Sequence, residues 1–523
     1  MKTRTLLLTM LLGWIQLSAQ NSPGDLNTGF GLSGAAFYYL NLNGSSQIQD
    51  LLHLPSGETF AIGTISGGGN ANSFVAKIDA TGNLVNSFGN NGVVTIDVGI
   101  GANDGARAAA VDPNGHIVIT GVINTGNSQD AYVLRISRDG LLDTTFSSNG
   151  IATYDWSGAD EYPNAIIAQP DGKILVAGHE NSNGSNLDVF VVRIHVDGIM
   201  DYSFDTDGKK IMDLTIGAPE SFDDIQLMSD GRIVAVGYMG MPNDRDMAVI
   251  RLMPNGDYDL TFSQDGIARI DIDGNQDAAL CAHVYDDGKI LLGGLEINSG
   301  EYNPAMVKLA ANGNISLSFS QDGKLVANYI IAAHEAFFDM AIQENGKIVC
   351  AGFIYDGSEK HNILIARFAE DGALVNDFGS NGYVSIDASN RDADDVGMAL
   401  AITADGDILV AGMTGDSASL VSVKGDDVST GIFSPNASNI ELLVQPNPFA
   451  NEVSFSCPTV VGETFVYRVT DLSGRQVIAG EIIAGSSETR VELGASFAHL
   501  PPGGYLLQIA HGQDAIGTML LKQ

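Results

Sequence analysis

The sequence predicts an all-β protein: a seven-bladed β-propeller closed by an N-terminal strand, followed by a small Ig-like β-sandwich. Three observations carry this. A glycine recurs at Gly57, Gly115, Gly172, Gly231, Gly288, Gly346 and Gly406, in steps of 57 to 60 residues, and a second glycine follows each one by six. A phenylalanine keeps the same phase at Phe88, Phe146, Phe204, Phe262, Phe319 and Phe378. No segment holds a 3.6-residue apolar period, so helix is not expected. A period this regular means one supersecondary unit copied along the chain.

One copy shows why the unit is a small sheet. Ala106 to Val111 is a short, mostly apolar run. Asp112-Pro113-Asn114-Gly115 turns the chain, because Pro presets φ and Asn-Gly tolerates positive φ. The β-branched run from His116 to Gly121 reads as a second strand. A polar loop, Asn124 to Asp130, leads into a third strand, Ala131 to Ile136. Asp139-Gly140 turns again, Leu142 and Phe146 pack back, and Asn149-Gly150 starts a fourth strand, Ile151 to Asp155. Four strands in so short a stretch leave two apolar faces that neighbours must cover. Burying each phenylalanine contributes about 1.5–3 kcal/mol.

A propeller and an open solenoid both suit such a repeat. The ends of the array distinguish them. Gly24 to Gly31 looks like the closing part of a repeat without a beginning, and Phe30 lies 58 residues before Phe88. The seventh copy is intact from Asp405 to Gly412 but decays after Asp427. An N-terminal strand that completes the last sheet closes a ring and removes its edges. The expectation is six whole blades and one split blade over residues 20–425.

The unit resembles the delta-60 repeat family of bacterial secreted proteins. The matching stretches are Gln169-Pro-Asp-Gly-Lys-Ile-Leu-Val-Ala-Gly178, Val192-Arg-Ile194 and Leu142-Asp-Thr-Thr-Phe146. The resemblance covers roughly residues 25 to 425 and implies a propeller-like fold. It brings no agreed activity.

The two ends carry the address. Lys2 and Arg4 precede an apolar run from Leu6 to Leu17 and then Ser18-Ala19-Gln20. This reads as a secretory signal peptide over residues 1–19. The run is short for a membrane span, no second one follows, and no transmembrane segment is expected. Residues 426–440 read as a Ser/Asn/Gly/Pro linker. Residues 441–523 carry seven candidate strands: Glu441–Val444, Glu452–Ser456, Phe465–Thr470, Gln476–Ile482, Thr489–Leu493, Tyr505–Ile509 and Thr518–Leu521. Pro446, Asn447, Pro448 and Phe449, then Asp471, Gly474, Gly504 and Tyr505, then Lys522 stand in stretches that resemble the type A C-terminal sorting domain of the type IX secretion system of Bacteroidota. That resemblance implies the type IX machinery as a partner. It also implies passage through the periplasm and a destination outside the cell or on its surface.

Composition narrows the partners. Acidic residues outnumber basic ones by 63 to 26. A surface this negative repels nucleic acid and anionic lipid, so no nucleic-acid partner is expected. Cys281, Cys350 and Cys457 are odd in number and share no phase, which suits buried thiols rather than a disulfide framework.

Two sets of charges keep phase with the repeat. Asp104, Glu161, Glu220, Asp277, Glu335 and Asp395 stand eleven residues before the first glycine of the next turn, with Ser46 in the first copy. They precede the innermost strand of each blade. One reading is a ring of carboxylates at a channel mouth, attractive to Ca²⁺ or to a cationic or polyhydroxyl ligand. The other is structural, one acid per blade capping backbone amides in the blade-to-blade turn, which is the commoner use of a repeated residue. Lys77, Arg135, Arg193, Arg251, Lys308 and Arg367 each stand in an apolar third strand. A half-buried Arg needs a partner, and Asp143, Asp201 and Asp259 are placed to supply one.

Loops between second and third strands vary among copies and carry His179, Tyr238, Met239, Met241, Tyr302, Phe353, Tyr355 and His361. Trp156 and Tyr162 lie in a blade connection, and such aromatics suit sugar stacking as well as packing. Signatures of catalysis or of metal ligation by histidine are absent: no His-Glu-x-x-His, no Gly-x-Ser-x-Gly elbow and no phosphate loop. Asp271-Ile-Asp273-Gly274 reads as a turn rather than a calcium loop. No catalytic residue, metal site or cofactor is therefore assigned, Ca²⁺ at the acidic ring excepted. The expectation is an exported binding scaffold for a glycan or a protein. The rivals are a secreted polysaccharide hydrolase or lyase, and a structural adhesin.

Overall fold

The β-branched runs of each repeat pair as antiparallel neighbours, and the array closes into a ring of seven four-stranded sheets. The computed structural model describes residues 22–426, save positions 39, 41–43, 68, 100, 127, 157, 182–186, 331–333, 356–359 and 389–392, together with seven strands between 443 and 522. The innermost strands of blades 1 to 7 are Ser46–His53, Asp104–Val111, Asp160–Ala168, Ser221–Leu227, Gln276–Val284, Glu335–Ile342 and Asp395–Ile402. Blades 1 to 6 are each built from consecutive strands. Blade 7 takes its outer strand, Ala35–Tyr38, from the N-terminal segment, where Ala35 pairs with Val421 and Tyr38 with Ala418. Leu26 bridges Val423, and Gly24 N donates to Lys424 O at 2.7 Å.

The core is distributed around the ring as one apolar cluster per blade joint. The phenylalanine lattice supplies the largest side chain at each. Phe88, Phe146, Phe204, Phe262, Phe319 and Phe378 fill the joints after blades 1 to 6, and Phe30 fills the joint between blades 7 and 1. All seven rings are at most 2% exposed.

The phased basic residues stitch these joints. Arg251 is 1% exposed. Its Nε donates to Asp259 Oδ2 at 2.7 Å, and its Nη1 reaches forward to Ala311 O in the next blade at 2.5 Å. Its guanidinium also lies over Phe262, 4.6 Å from the ring centre. Arg135 and Arg193 repeat the plan with Asp143 and Asp201, and with the rings of Phe146 and Phe204. The pairing expected from sequence is present, and it satisfies charges that would otherwise be costly to bury.

A β-bulge interrupts every innermost strand, and the second glycine of the repeat makes room for it. In blade 4 the register shifts between Phe222 and Asp224, and Gly237 stands opposite Phe222. A Cβ on Gly237 would collide with the Ser221 carbonyl oxygen. Gly63, Gly121, Gly178, Gly294, Gly352 and Gly412 stand at the corresponding place in the other blades. The bulge sends one extra residue per blade, Asp223 in this case, toward the axis.

C-terminal to the ring, Leu443–Gln445, Ser454–Pro458 and Glu488–Glu492 form a three-stranded sheet. Thr464–Asp471, Gln476–Ile483, Gly503–His511 and Asp514–Lys522 form a four-stranded one. Among the described residues no helix is long and apolar enough to cross a membrane. The expected signal segment and most of the linker lie outside the described residues.

Candidate functional site

The seven bulge residues surround a cavity of about 380 Å³ on the ring axis. They are Gln49, Arg107, Asn164, Asp223, Leu280, Phe338 and Met398. Just beyond them lie Asp50, Asp224 and Asp339, one residue after the bulge in blades 1, 4 and 6. Each of these aspartates accepts its neighbour's amide and one from the following blade. Asp50 Oδ2 takes Ala109 N at 2.7 Å, Asp224 Oδ2 takes Ala282 N at 2.8 Å, and Asp339 Oδ2 takes Leu400 N at 2.7 Å.

Burial raises all three carboxyls against these hydrogen bonds. Asp224 is pushed up to about 6 and Asp339 to about 8, with the other channel aspartates adding repulsion. Asp223 is pushed up to about 7 by burial, eased by the Ser221 hydroxyl. The channel therefore holds weakly acidic carboxyls that exchange protons near neutral pH.

Polar groups converge at one side of the mouth, over blades 2 to 4. Asn164 Nδ2 donates to Ser221 Oγ at 3.1 Å and to Phe222 O at 2.9 Å, and lies 3.3 Å from Asp223 Oδ1. His179 Nδ1 meets Ser221 Oγ at 3.1 Å, and the Tyr162 ring stacks on His179 with centres 5.0 Å apart. Burial, helped by the positive charge of Arg107, lowers His179 to about 4, so the imidazole is neutral. Arg107 itself is exposed. Farther out, Arg245 lies over Tyr238 at 4.6 Å. Across the axis, Phe338 packs against Phe353.

The phased acids sit elsewhere. Asp104, Glu161, Glu220, Asp277, Glu335 and Asp395 are at most 3% exposed and stand in the joints between blades. Those with resolved partners accept backbone amides, mostly of the connection that precedes them. Asp104 takes Val98 N at 3.0 Å and Ser73 N at 2.8 Å. Glu220 takes Leu214 N at 2.7 Å, Glu335 takes Tyr329 N at 2.9 Å, and Asp395 takes Ala388 N at 2.8 Å. Residues of the cavity wall come from the bulges instead. Burial pushes Glu220 up to about 7, Asp277 to about 8 and Asp395 to about 6.

Trp156 is half-buried in the joint of blades 2 and 3, edge-on to Phe190 at 5.0 Å, away from the channel. Tyr162 is half-buried on the innermost strand of blade 3, stacked on His179, rather than in a blade connection. Cys281 and Cys350 are buried free thiols. Asp471 pairs with Tyr505, and Gly504 is in the strand whose Gly503 pairs with Lys522, so these sorting-motif positions share one sheet. Pro446, Asn447, Pro448, Phe449 and Gly474 lie outside the described residues.

Bulge residues differ in type from blade to blade, so their common role leaves no phase in the sequence. The conserved spacing of the second glycine was the signal that locates them, since only a crowded backbone demands glycine inside a strand.

No curated protein matches the chain in sequence. Among solved structures, it is similar to an extracellular domain assigned to a hybrid two-component system of B. thetaiotaomicron (10% identity, TM-score 0.42, 96% of this chain) and spans 59% of that chain's length. It is also similar to the polysaccharide lyase Uly1 (12% identity, TM-score 0.39, 74% of this chain and 90% of that one). A third is an α-L-arabinanase of Penicillium chrysogenum (10% identity, TM-score 0.36, 61% and 92%). A family described as "Domain of unknown function (DUF5122) beta-propeller" matches residues 113–146, 169–204, 229–262 and 286–319. Over blades 2 to 5 the chain is thus similar to that propeller family.

Proposed function

We propose that this propeller is an exported binding protein that takes a polyhydroxylated ligand, a glycan, at the mouth of its central channel. The observation that supports it is the meeting of Arg107, Asn164 and Asp223 at a cavity of about 380 Å³, with Tyr162 stacked on His179, which contacts the same Ser221 hydroxyl as Asn164. An aromatic face for a sugar ring stands beside a fixed amide, a carboxyl and a cation, the usual few polar groups that orient a ligand. The same wall carries Asp50, Asp224 and Asp339 among apolar residues.

A glycan array probed with the full chain tests this. Wild type is expected to retain a defined set of glycans, and Tyr162→Ala and Arg107→Ala to lose them at least tenfold in affinity, roughly the worth of one anchoring contact. No glycan bound, or unchanged binding by both variants, overturns the reading.

A hydrolase or lyase is the second reading, favoured by the adjacent Asp223 and Asp224, pushed up to about 7 and about 6. One carboxyl protonated and another ionised at neutral pH is what acid–base cleavage of a glycan needs. Reducing ends released from a bound glycan, and lost in Asp223→Asn, select it over simple binding.

The route outward is a separate proposal. The signal-like segment at residues 1–19, with Asp471, Tyr505 and Lys522 in one C-terminal sheet, supports export through the type IX system. The destination is then the cell surface or the medium. The delta-60 kinship proposed from the repeat is compatible with it.

A further inference from the structure

A second acidic feature lies at the joint of blades 4 and 5, away from the channel. Asp246 comes from the third strand of blade 4, Asp271 follows that blade's outer strand, and Asp277 opens blade 5. One carboxylate oxygen of each lies within 4.8 Å of the others. Asp277 is 1% exposed, and its Oδ2 accepts Ile272 N at 2.6 Å. Its Oδ1 is equally buried and meets no hydrogen-bond donor among the described residues. A buried carboxyl oxygen without a donor holds a proton or faces a cation, and a resident cation would displace that proton.

The neighbourhood is only partly neutralised. Arg269 contacts Asp246 through Nε and reaches Asp244 Oδ2 at 3.0 Å. Asp271 Oδ1 accepts Gly274 N at 2.7 Å, and Lys324 Nζ binds the Asp271 carbonyl oxygen, not its carboxylate. Glu296 adds negative charge close to Asp277.

The arrangement is written into the repeat. In blade 4, Met247 pairs with Ile270, so Asp246 and Asp271 flank a paired position. Val189 pairs with Met212 in blade 3 and Ala131 with Tyr154 in blade 2, flanked likewise by Asp188 and Asp213, and by Asp130 and Asp155. Glu220 and Glu161 then stand where Asp277 does. Of these three joints only that of blades 4 and 5 uses the shorter aspartate there; Asp104 and Asp395 stand at the same place in two other joints, where Asn72 and Asn362 replace the acid of the third strand.

We propose that Asp246, Asp271 and Asp277 hold a Ca²⁺ ion that ties blade 4 to blade 5. Three carboxylates from three separate chain segments form a hard, all-oxygen donor set. Ca²⁺ tolerates irregular oxygen geometry at about 2.3–2.6 Å and takes its remaining ligands from carbonyls or water. The site does not depend on the glycan reading, since none of its residues lines the channel.

The test uses the full chain stripped with EDTA and titrated with CaCl₂ alone, by calorimetry and by thermal unfolding. Binding with Kd of roughly 10⁻⁵–10⁻³ M is expected, together with a Tm rise of roughly 2–5 °C at saturation. Asp271→Asn keeps the acceptor for Gly274 N and is exposed, so the variant should fold with unchanged Tm in EDTA. It should lose one site, or about tenfold or more in affinity, and Asp277→Asn should do the same. Neither heat nor a Tm shift up to about 10 mM Ca²⁺, far above the expected Kd, overturns the proposal. So does a folded Asp271→Asn that binds Ca²⁺ as wild type does.

Discussion

Asp339 shows what a single side chain does to this ring. It bonds the backbone of blade 7, yet burial holds it to about 8. A carboxyl whose folded pKa is raised binds its proton more tightly in the native state than when unfolded. The stability it contributes is complete below the unfolded carboxyl pKa and lost as pH climbs through the folded value. Asp223 and Glu220, both near 7, behave alike. Carboxyls held low, such as Asp143 and Asp230, change protonation only below about 4. Buried neutral histidines such as His179 matter below about 6.5. Between about pH 6.5 and 8 the raised carboxyls therefore dominate, and the urea midpoint is expected to fall as pH rises. Asp339→Asn should flatten that slope, and an unchanged slope would show that Asp339 does not titrate there. The phased acids illustrate a limit of reading at this scale. Their positions were legible from spacing, but the turn of each side chain into a joint is set by backbone amides that no spacing reveals.

At the scale of the element, the blade was readable because the signal is multiplied. Phe146 alone is one apolar residue; repeated on a lattice with Arg135 eleven positions earlier, it marks a joint and its stitch. The bulge was not readable in the same way. Arg107, Asp223 and Phe338 share a place but no chemistry, so repetition hides rather than reports them. The glycine opposite is the exception, and it yields a prediction. Gly237→Ala puts a methyl group against the Ser221 carbonyl and should cost about 1–3 kcal/mol, the usual range for overpacking. Gly57→Ala removes a positive-φ glycine with open space around it, and its smaller cost would come from the backbone alone. Chemical denaturation of the two variants separates steric from conformational demand. Equal losses would mean the bulge yields.

For the whole molecule, ring closure followed from two incomplete repeats at opposite ends of the array, and Phe30 occupies the joint its lattice position implied. Channel contents did not follow, because Asp50, Asp224 and Asp339 occur in only some blades and meet through the axis rather than along the chain. The export proposal belongs to this scale as well. Deleting residues 441–523 in a Bacteroidota host should leave the propeller folded but retained in the periplasm, as fractionation and immunoblotting would show. Equal amounts of the truncated chain in the medium would remove the sorting role.

The clasp between Ala35–Tyr38 and Ser417–Val423 has a temporal consequence. The ring's first segment must wait for its last strand before it can pair. Until then, blade 7 has no outer edge and Phe30 no joint to enter. Such a chain finishes folding late and all at once, with loop closure as its slow step. While incomplete it offers naked strand edges to any neighbour, so its safe passage depends on being held apart or on finishing in one enclosed place.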